Sequence, residues 1–350
     1  KITVVSDGGF QLPISSIDIN SSEENLKKHL KHYHMQEDHI YMNTNLAVIE
    51  VEDKKLLIDV GSGSRFIGNT GKLFDNLSKA NIDPESITNV FLTHAHPDHI
   101  LGIRDDFDET IFPDAEFMIS EKEYGWWTKK NRVNEVDETF MQMVLWAQNS
   151  LNAIPEISLF NNEKSILPGV TVFETSGHSP GHSSILIESK GSKLIIGGDV
   201  IRNTYTSLKN PDFIPDTDMD PVLAQKTRFN ILDLITTEKI PYLGYHFPFP
   251  GVGYIIKNEK IYDVLIVGAG PSGSNTAISF KNLNPNLRIA IIDKAVFPRD
   301  KSCGDAIGPG VINALKRFNN EHILEDEPQV ISTSLFGPDD IGIQNYIPKV

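Results

Sequence analysis

The sequence predicts an α+β fold in which helices cover the outer faces of β-sheets, followed by a smaller βαβ segment. Apolar runs of strand length alternate with stretches of helical period up to Gly251. Beyond that point a fresh apolar strand, residues 262–267, runs into a glycine-rich turn. We therefore place a domain boundary near residue 257, with domains at 1–256 and 257–350.

The individual elements follow from local patterns. The chain begins with a predicted strand at 2–5, which ends in the turn Asp7-Gly8-Gly9, and a polar helix follows a capping box of Ser21 and Glu24. Next come a hairpin of 45–51 and 56–60, a helix at 71–80 and a strand at 87–93. A helical region at 120–153 is followed by strands at 170–175, 184–188 and 193–197. Each of the last three strands ends near a polar cluster, so functional residues are expected at strand ends.

Composition excludes several classes of function. The formal net charge of −15 argues against nucleic acid or an anionic membrane as a partner, because both reward clustered lysine and arginine. The single cysteine, Cys303, excludes an intramolecular disulfide and a thiolate-rich zinc site. No apolar run approaches the ~18 residues that a spanning helix needs. The chain begins with Lys1, so the compartment stays open, with the cytoplasm favoured.

A dense histidine run follows the strand predicted at 87–93. It places His94, His96, Asp98 and His99 within six residues. A lone histidine is usually structural, but three imidazoles and a carboxylate so close together indicate a metal site. Zinc is the default for this ligand set, with Mn²⁺, Co²⁺ and Fe²⁺ as alternatives.

Further potential ligands lie in later turns. They are His178 and His182 in GHSPGH, Asp199 after an apolar strand, and His246 in a tight turn. By contrast, four histidines lie on or just after the polar helix and are predicted to be solvated surface residues: His29, His32, His34 and His39.

The series HxHxDH, GHSPGH, GGD and GYHFPFPG resembles the metallo-β-lactamase superfamily, an αββα sandwich with its metals at one sheet edge. The resemblance covers residues 1 to about 255. It implies that one metal is bound by His94, His96 and His178, that a second is bound by Asp98, His99 and His246, and that Asp199 bridges them. Asp59 resembles the family's aspartate that orients a ligand histidine, and His182 is expected to support the ligands or the fold.

The resemblance also implies a reaction. A hydroxide bridging two metal ions, zinc by default, would attack a small-molecule substrate, and Asp98 or Asp199 would handle the proton. The imidazole of His96 favours hydrolysis, since a redox di-iron relative is expected to carry a carboxylate there. HAHPDHILGI and HFPFPGVGYI are most similar to the branch of methyl-parathion-hydrolase-like enzymes and N-acylhomoserine lactonases. The expected substrate is thus a lactone, an ester or a phosphotriester.

Several alternatives stay open. Glyoxalase II-type thioesterases share the same ligands, although basic residues that would clasp a glutathione carboxylate are not recognisable. Arg202 stands where some lactonases carry a tyrosine. Phe247 and Phe249 are candidates for a substrate pocket because they flank His246. Four aromatic residues of the helical region could wall an apolar pocket, form a homodimer contact or simply pack in the core: Trp126, Trp127, Phe140 and Trp146.

The C-terminal segment carries a dinucleotide-binding pattern. Gly268, Gly270 and Gly273 lie between the strand at 262–267 and a helix at 275–283, and Asp293 ends the next strand at 288–292. In this context the glycines let a pyrophosphate approach the helix N-terminus, and the aspartate can bind ribose hydroxyls.

FPRDKSCGD at 297–305 resembles the FAD-dependent geranylgeranyl reductase and halogenase group. The resemblance covers residues 261–350 only, so we expect an incomplete Rossmann-like segment, from a gene fusion or a shifted reading frame, that does not hold FAD stably. The alternative is a bifunctional flavin-dependent oxidoreductase with an accessory N-terminal domain.

Overall fold

The chain divides into two units, Lys1–Lys257 and Asn258–Val350, which are described separately. The computed structural model describes residues 1–105, 110–161, 163–257, 262–293, 332–336 and 342–346. The motif at 297–305, with Cys303, lies outside the described residues.

The first unit contains two six-stranded sheets that each follow the order of the chain. The first sheet consists of β1 (Ile2–Pro13), β2 (His39–Val51), β3 (Lys54–Ile58), β4 (Asn89–Phe91), β5 (Glu116–Ser120) and β6 (Ile157–Phe160). The second consists of β7 (Lys164–Leu167), β8 (Val170–Glu174), β9 (Ser183–Ser189), β10 (Ser192–Ile196), β11 (Tyr242–Leu243) and β12 (Val252–Gly253). Strands β3 to β6 run parallel, as do β10 and β11, while the hairpins are antiparallel.

Six α-helices connect these strands: α1 (Glu23–His32), α2 (Leu73–Lys79), α3 (Pro97–Ile100), α4 (Glu121–Trp127), α5 (Glu138–Asn152) and α6 (Pro221–Thr237). Helices α2, α4 and α5 bury apolar residues against the first sheet, and α6 packs on the second. Between the sheets lies a separate apolar layer that includes Ile49, Phe91, Val172 and Ile185. The order of layers is therefore helix, sheet, sheet, helix, which confirms the predicted α+β class. No helix in the described parts of the chain is long and apolar enough to cross a bilayer.

Several local predictions were wrong. Asp7-Gly8-Gly9 is not a turn; β1 continues through it with a register shift, and Gly8 takes a φ of 102°. The cap of α1 is Ser22, whose side chain accepts from the amide of Asn25, and not Ser21. The helical region 120–153 is split into α4 and α5 by a segment that contains a short 3₁₀ helix, Arg132–Asn134.

Two of the four histidines predicted to be solvated are only half-exposed. The Nε2 of His29 lies 2.7 Å from the carbonyl of Tyr205, and its ring packs edge-on against Phe213. His39 of β2 pairs with Gln11 of the neighbouring strand β1. His32 and His34 are exposed, as predicted.

The second unit contains a parallel strand pair, β13 (Val264–Val267) and β14 (Ile289–Ile292), joined through α7 (Pro271–Leu283). The helix begins at Pro271, four residues earlier than predicted. An antiparallel pair, β15 (Ser332–Phe336) and β16 (Gly342–Tyr346), completes the described part of this unit.

Candidate metal centre

Both sheets deliver their potential ligands from connections that follow strand ends. The histidine run follows β4, and His178 lies in the connection from β8 to β9. Asp199 follows β10, and His246 follows β11. Just before the histidine run, the carbonyl of Thr93 accepts a hydrogen bond of 3.0 Å from the amide of Ser183. This hydrogen bond joins the ends of the two sheets.

Three overlapping groups of buried side chains have ligand atoms within 4.8 Å of one another. They are His94, His96 and His178; His94, His99 and Asp199; and Asp98, His99 and His246. The first and third groups have the membership expected for the two metals. The described structure thus brings all seven predicted ligands into one cluster.

Asp199 lies between the two triads. Its Oδ2 is 3.4 Å from His178 Nε2 in one triad and 3.2 Å from His246 Nε2 in the other. Its Oδ1 is 3.4 Å from His99 Nε2. A carboxylate with oxygens facing ligands of both triads has the geometry that a bridging ligand needs.

Divalent cations fit this donor set. Among the residues that the structure describes, His94 Nε2, His99 Nε2 and Asp199 Oδ1 are buried and have no hydrogen-bond partner. Buried polar atoms without partners are costly. Their convergence on one point therefore indicates that a cation binds there and contacts all three atoms. Imidazole and carboxylate in this number suit zinc and its first-row neighbours.

In three of the ligand imidazoles, the nitrogen on the far side of the ring is held by the protein. His178 Nδ1 donates to Asp218 at 2.8 Å, His99 Nδ1 donates to Asp59 at 2.8 Å, and His246 Nδ1 donates to the Asn43 carbonyl at 2.6 Å. Such hydrogen bonds fix the tautomer and aim the opposite nitrogen at the metal. The orienting geometry predicted for Asp59 is present, whereas Asp218 had no local sequence signal.

Asp59 is held in turn by its neighbours. It accepts from the amide and hydroxyl of Thr93, at 2.7 and 2.8 Å, and its own backbone is left-handed, with φ of 60°. A non-glycine residue in this conformation is uncommon and tends to mark functional positions.

Asp218 is anchored by a buried arginine of α6. Arg228 donates to Asp218 at 2.8 Å and to the carbonyls of Val200, Pro211 and Phe213. Its side chain is 1% exposed. Helix α6 therefore fixes the orientation of His178 through Asp218.

His182 supports the fold of the site. Its Nδ1 is 2.8 Å from the Thr175 hydroxyl, and its Nε2 accepts from the amide of Asp199 at 3.0 Å. Gly198, just before Asp199, is required here because a Cβ would lie 2.6 Å from that ring nitrogen. The structure thus places His182 behind Asp199, with both ring nitrogens bonded to the protein.

Glu123 of α4 ties the two histidine loops together. Its fully buried carboxylate accepts from the Ala95 amide at 3.0 Å and Trp127 Nε1 at 2.7 Å, and, on the other oxygen, from the Ser179 hydroxyl at 2.8 Å and the Gly181 amide at 2.7 Å. Burial raises the pKa of Glu123, while these four hydrogen bonds oppose the rise. Sequence reasoning missed this residue because it lies far from both motifs along the chain.

The charges of the cluster favour a cation. Burial lowers the pKa of His94 well below 6.5, so this imidazole is neutral, the form that binds metals. Burial also lowers the pKa of His246, but the carboxylates of Asp199 and Asp98 outweigh it and raise that pKa to about 9. Burial raises the pKa of Asp98, and the imidazoles of His99 and His246 outweigh it, bringing the value to about 2.

The aromatic residues have separate roles. Trp127 is fully buried, so it packs in the core, as one of the predicted alternatives had it. Phe247 also packs in the core, against Tyr242, so its predicted place in a substrate pocket is wrong; Phe249 is 56% exposed. An aromatic row extends from His246 through Phe10 and Phe66 to Trp146.

The model of the metallo-beta-lactamase superfamily matches residues 41–242, more than half of the chain, including the histidine run, His178 and Asp199. The chain belongs to the metallo-beta-lactamase superfamily. Together with the buried His and Asp cluster, this membership makes it a metal-dependent hydrolase.

Individual relatives that match more than half of this chain have low sequence identity to it. An N-acyl homoserine lactonase of Bacillus thuringiensis is 22% identical over 232 residues, which cover 61% of the chain and 81% of that enzyme. The solved structure of AidC, a dizinc quorum-quenching lactonase, is similar with a TM-score of 0.69 and 28% identity, covering 74% of the chain and 91% of AidC.

A shorter similarity joins the chain to conditioned medium factor receptor 1 of Dictyostelium discoideum. It has 40% identity over 70 residues, or 20% of the chain, and spans 13% of that protein's length.

Proposed function

We propose that this hydrolase opens a lactone or cleaves a related ester, using two divalent metal ions, zinc by default, bound by the predicted triads. The observation that carries the proposal is Asp199, whose oxygens face His178 of one triad and His99 and His246 of the other. The likeness to AidC and to the Bacillus lactonase supports this substrate class. A phosphotriester, with its similarly neutral reacting centre, is the second candidate of the same chemistry.

Each protein group has a definable task in such a reaction. When bound, two divalent cations supply a hydroxide at neutral pH and polarise the substrate's carbonyl or phosphoryl oxygen. Asp59 and Asp218 hold ligand imidazoles in one tautomer, so the ligand geometry is fixed before substrate arrives.

Asp98 is the better placed of the two carboxylates to move a proton to the leaving group. Its side chain is 11% exposed, against 4% for Asp199, so it has more access to a bound substrate. The hydrolysis itself needs no side-chain nucleophile, because the attacking oxygen comes from water.

The aromatic row gives the proposed site an apolar side. Phe10 lies 5.8 Å from the His246 ring, Phe66 follows at 5.1 Å, and Trp146 at 6.3 Å, measured between centroids. Phe66 and Trp146 are half-buried, and their rings suit an acyl chain better than the charged tripeptide of a glutathione thioester; the buried Phe10 joins Phe66 to His246. This favours lactonase over thioesterase activity.

A substrate panel tests the proposal. Metal-loaded protein should hydrolyse an acyl lactone or an aryl ester, hold about two metals per chain, and lose activity on treatment with EDTA. His96→Ala should lose at least about 100-fold in activity, since His96 is one of the three side chains that would hold the first metal; His32→Ala, an exposed histidine, is the control. Activity that survives both metal stripping and His96→Ala contradicts the proposal.

We propose that the second unit contains a dinucleotide-binding βαβ segment. Its glycine turn supports this: Gly268 has φ of 99°, and a Cβ on Gly273 would lie 1.8 Å from the Gly268 carbonyl. The Asp293 carboxylate accepts from the Ala269 amide at 2.8 Å, so it closes the turn on which a pyrophosphate would lie. Gly270 precedes the first residue of α7. We propose further that this segment does not retain FAD.

A further inference from the structure

Arg202 lies beside the metal centre with one side-chain nitrogen that the described fold leaves unsatisfied. The side chain is 7% exposed, and its Nε is buried without a hydrogen-bond partner among the described residues. Guanidinium groups stay protonated in proteins, so a full positive charge is held here. A buried charge of this kind is costly unless an acceptor is supplied.

The neighbouring carboxylates are committed to other groups. Asp199 Oδ2 is 3.9 Å from Arg202 Nε, beyond hydrogen-bonding distance, and faces His178 and His246 instead. Asp218 has one oxygen on His178 and the other on Arg228.

Arg228 provides an internal comparison. It is equally buried, yet it donates to three carbonyls and to one carboxylate. The same fold thus satisfies one buried guanidinium completely and leaves the other, 3.9 Å from the proposed bridging ligand, without a partner for its Nε.

We propose that Arg202 is a specificity-determining residue that binds an anionic oxygen group of the substrate, a carboxylate or a phosphoryl oxygen, next to the scissile bond. This inference rests on the proposed function, which it deepens by naming the substrate class. A planar guanidinium binds such groups through paired, charge-assisted hydrogen bonds. The substrate is therefore either a neutral ester or lactone with a carboxylate next to the scissile bond, or a phosphodiester whose phosphoryl group itself carries the negative charge.

Matched substrates test the proposal on the full-length, zinc-loaded chain. One pair is mono-4-nitrophenyl succinate and its methyl ester, which differ only in the free carboxylate. The other is ethyl 4-nitrophenyl phosphate and its diethyl triester. The two pairs distinguish a carboxylate from a phosphoryl group, and 4-nitrophenolate release is measured for both.

We expect wild-type protein to prefer the anionic member of at least one pair. Arg202→Gln should lower kcat/KM for that member on the order of 100-fold, mostly through KM, and change the neutral member less than about threefold. Arg202→Lys should recover part of the loss. Arg288→Gln, which removes the same charge from the second unit, should leave both members unchanged.

Other outcomes overturn the proposal. Equal losses on both members of each pair assign Arg202 a general role in the reaction. Loss of zinc or of thermal stability in Arg202→Gln assigns it to the support of Asp199. If wild-type protein hydrolyses neutral esters without preferring the anionic ones, this inference fails while the proposed function stands. If it hydrolyses none of the esters or lactones, the proposed function fails.

Discussion

At the scale of single residues, the ligands and their supports differ in how visible they are in the sequence. The run from His94 to His99 is recognisable because one tight turn needs all its ligands within a few positions. Glu123 has no such signal: a buried glutamate looks like any other until the fold brings two distant loops onto its carboxylate. Asp218 and Arg228 were missed for the same reason.

Glu123→Gln tests this residue's role. The amide keeps the shape but turns one acceptor into a donor, so two of the four donors lose their partner. We expect a loss of stability on the order of 3 kcal/mol and zinc affinity roughly 10- to 100-fold weaker. Urea unfolding and competition with a chromogenic chelator measure the two effects.

Glu121→Gln, at the exposed start of α4, is the control and should alter neither quantity. If Glu123→Gln binds zinc as tightly as the wild-type chain, the glutamate only joins the loops and does not position the ligands.

At the scale of elements, strands and hairpins were predicted better than helices. Helix α6 was not predicted at all, because its buried positions are Ala224, Arg228, Ile231 and Ile235. The spacing is helical, but an arginine in the second position interrupts the apolar stripe that would identify it. Arg228, which makes the helix hard to recognise in the sequence, is also the residue that anchors Asp218.

Arg228→Met should therefore be far more damaging than a typical helix substitution. It fills similar space but leaves Asp218 buried without its cation, at an expected cost of about 3–5 kcal/mol in the free energy of unfolding. Lys226→Met, an exposed position on the same helix, should change it by less than about 0.5 kcal/mol. Chemical denaturation of both variants makes the comparison; similar small losses would show that Asp218 does not depend on Arg228.

At the scale of the whole molecule, the described structure separates hydrolase chemistry from the dinucleotide pattern. All seven proposed ligands, and every support described for them, belong to Lys1–Lys257. The change in sequence pattern after Gly251 predicts a domain boundary near residue 257. In the second unit the sequence predicted the strand, helix and strand around the glycine turn but not the pair β15 and β16, because the resemblance there covers a short piece and few local patterns.

Ending the chain at Lys257 should leave zinc content, ester hydrolysis and melting temperature of the first unit unchanged, because its cores are built from its own residues. The 350-residue chain should purify colourless. Metal analysis, calorimetry and absorbance near 450 nm, where flavins absorb, check these outcomes. A yellow protein with stoichiometric flavin, or a shortened chain that aggregates, contradicts them.

The order of the ligands along the chain has a consequence for biosynthesis. The first triad is complete in sequence only at His178, and the second only at His246, close to the end of the unit. A nascent chain therefore cannot form the second site until nearly the whole unit has left the ribosome. Zinc that binds late would then stabilise the finished fold, because ligands that bind only the native state shift the folding equilibrium toward it.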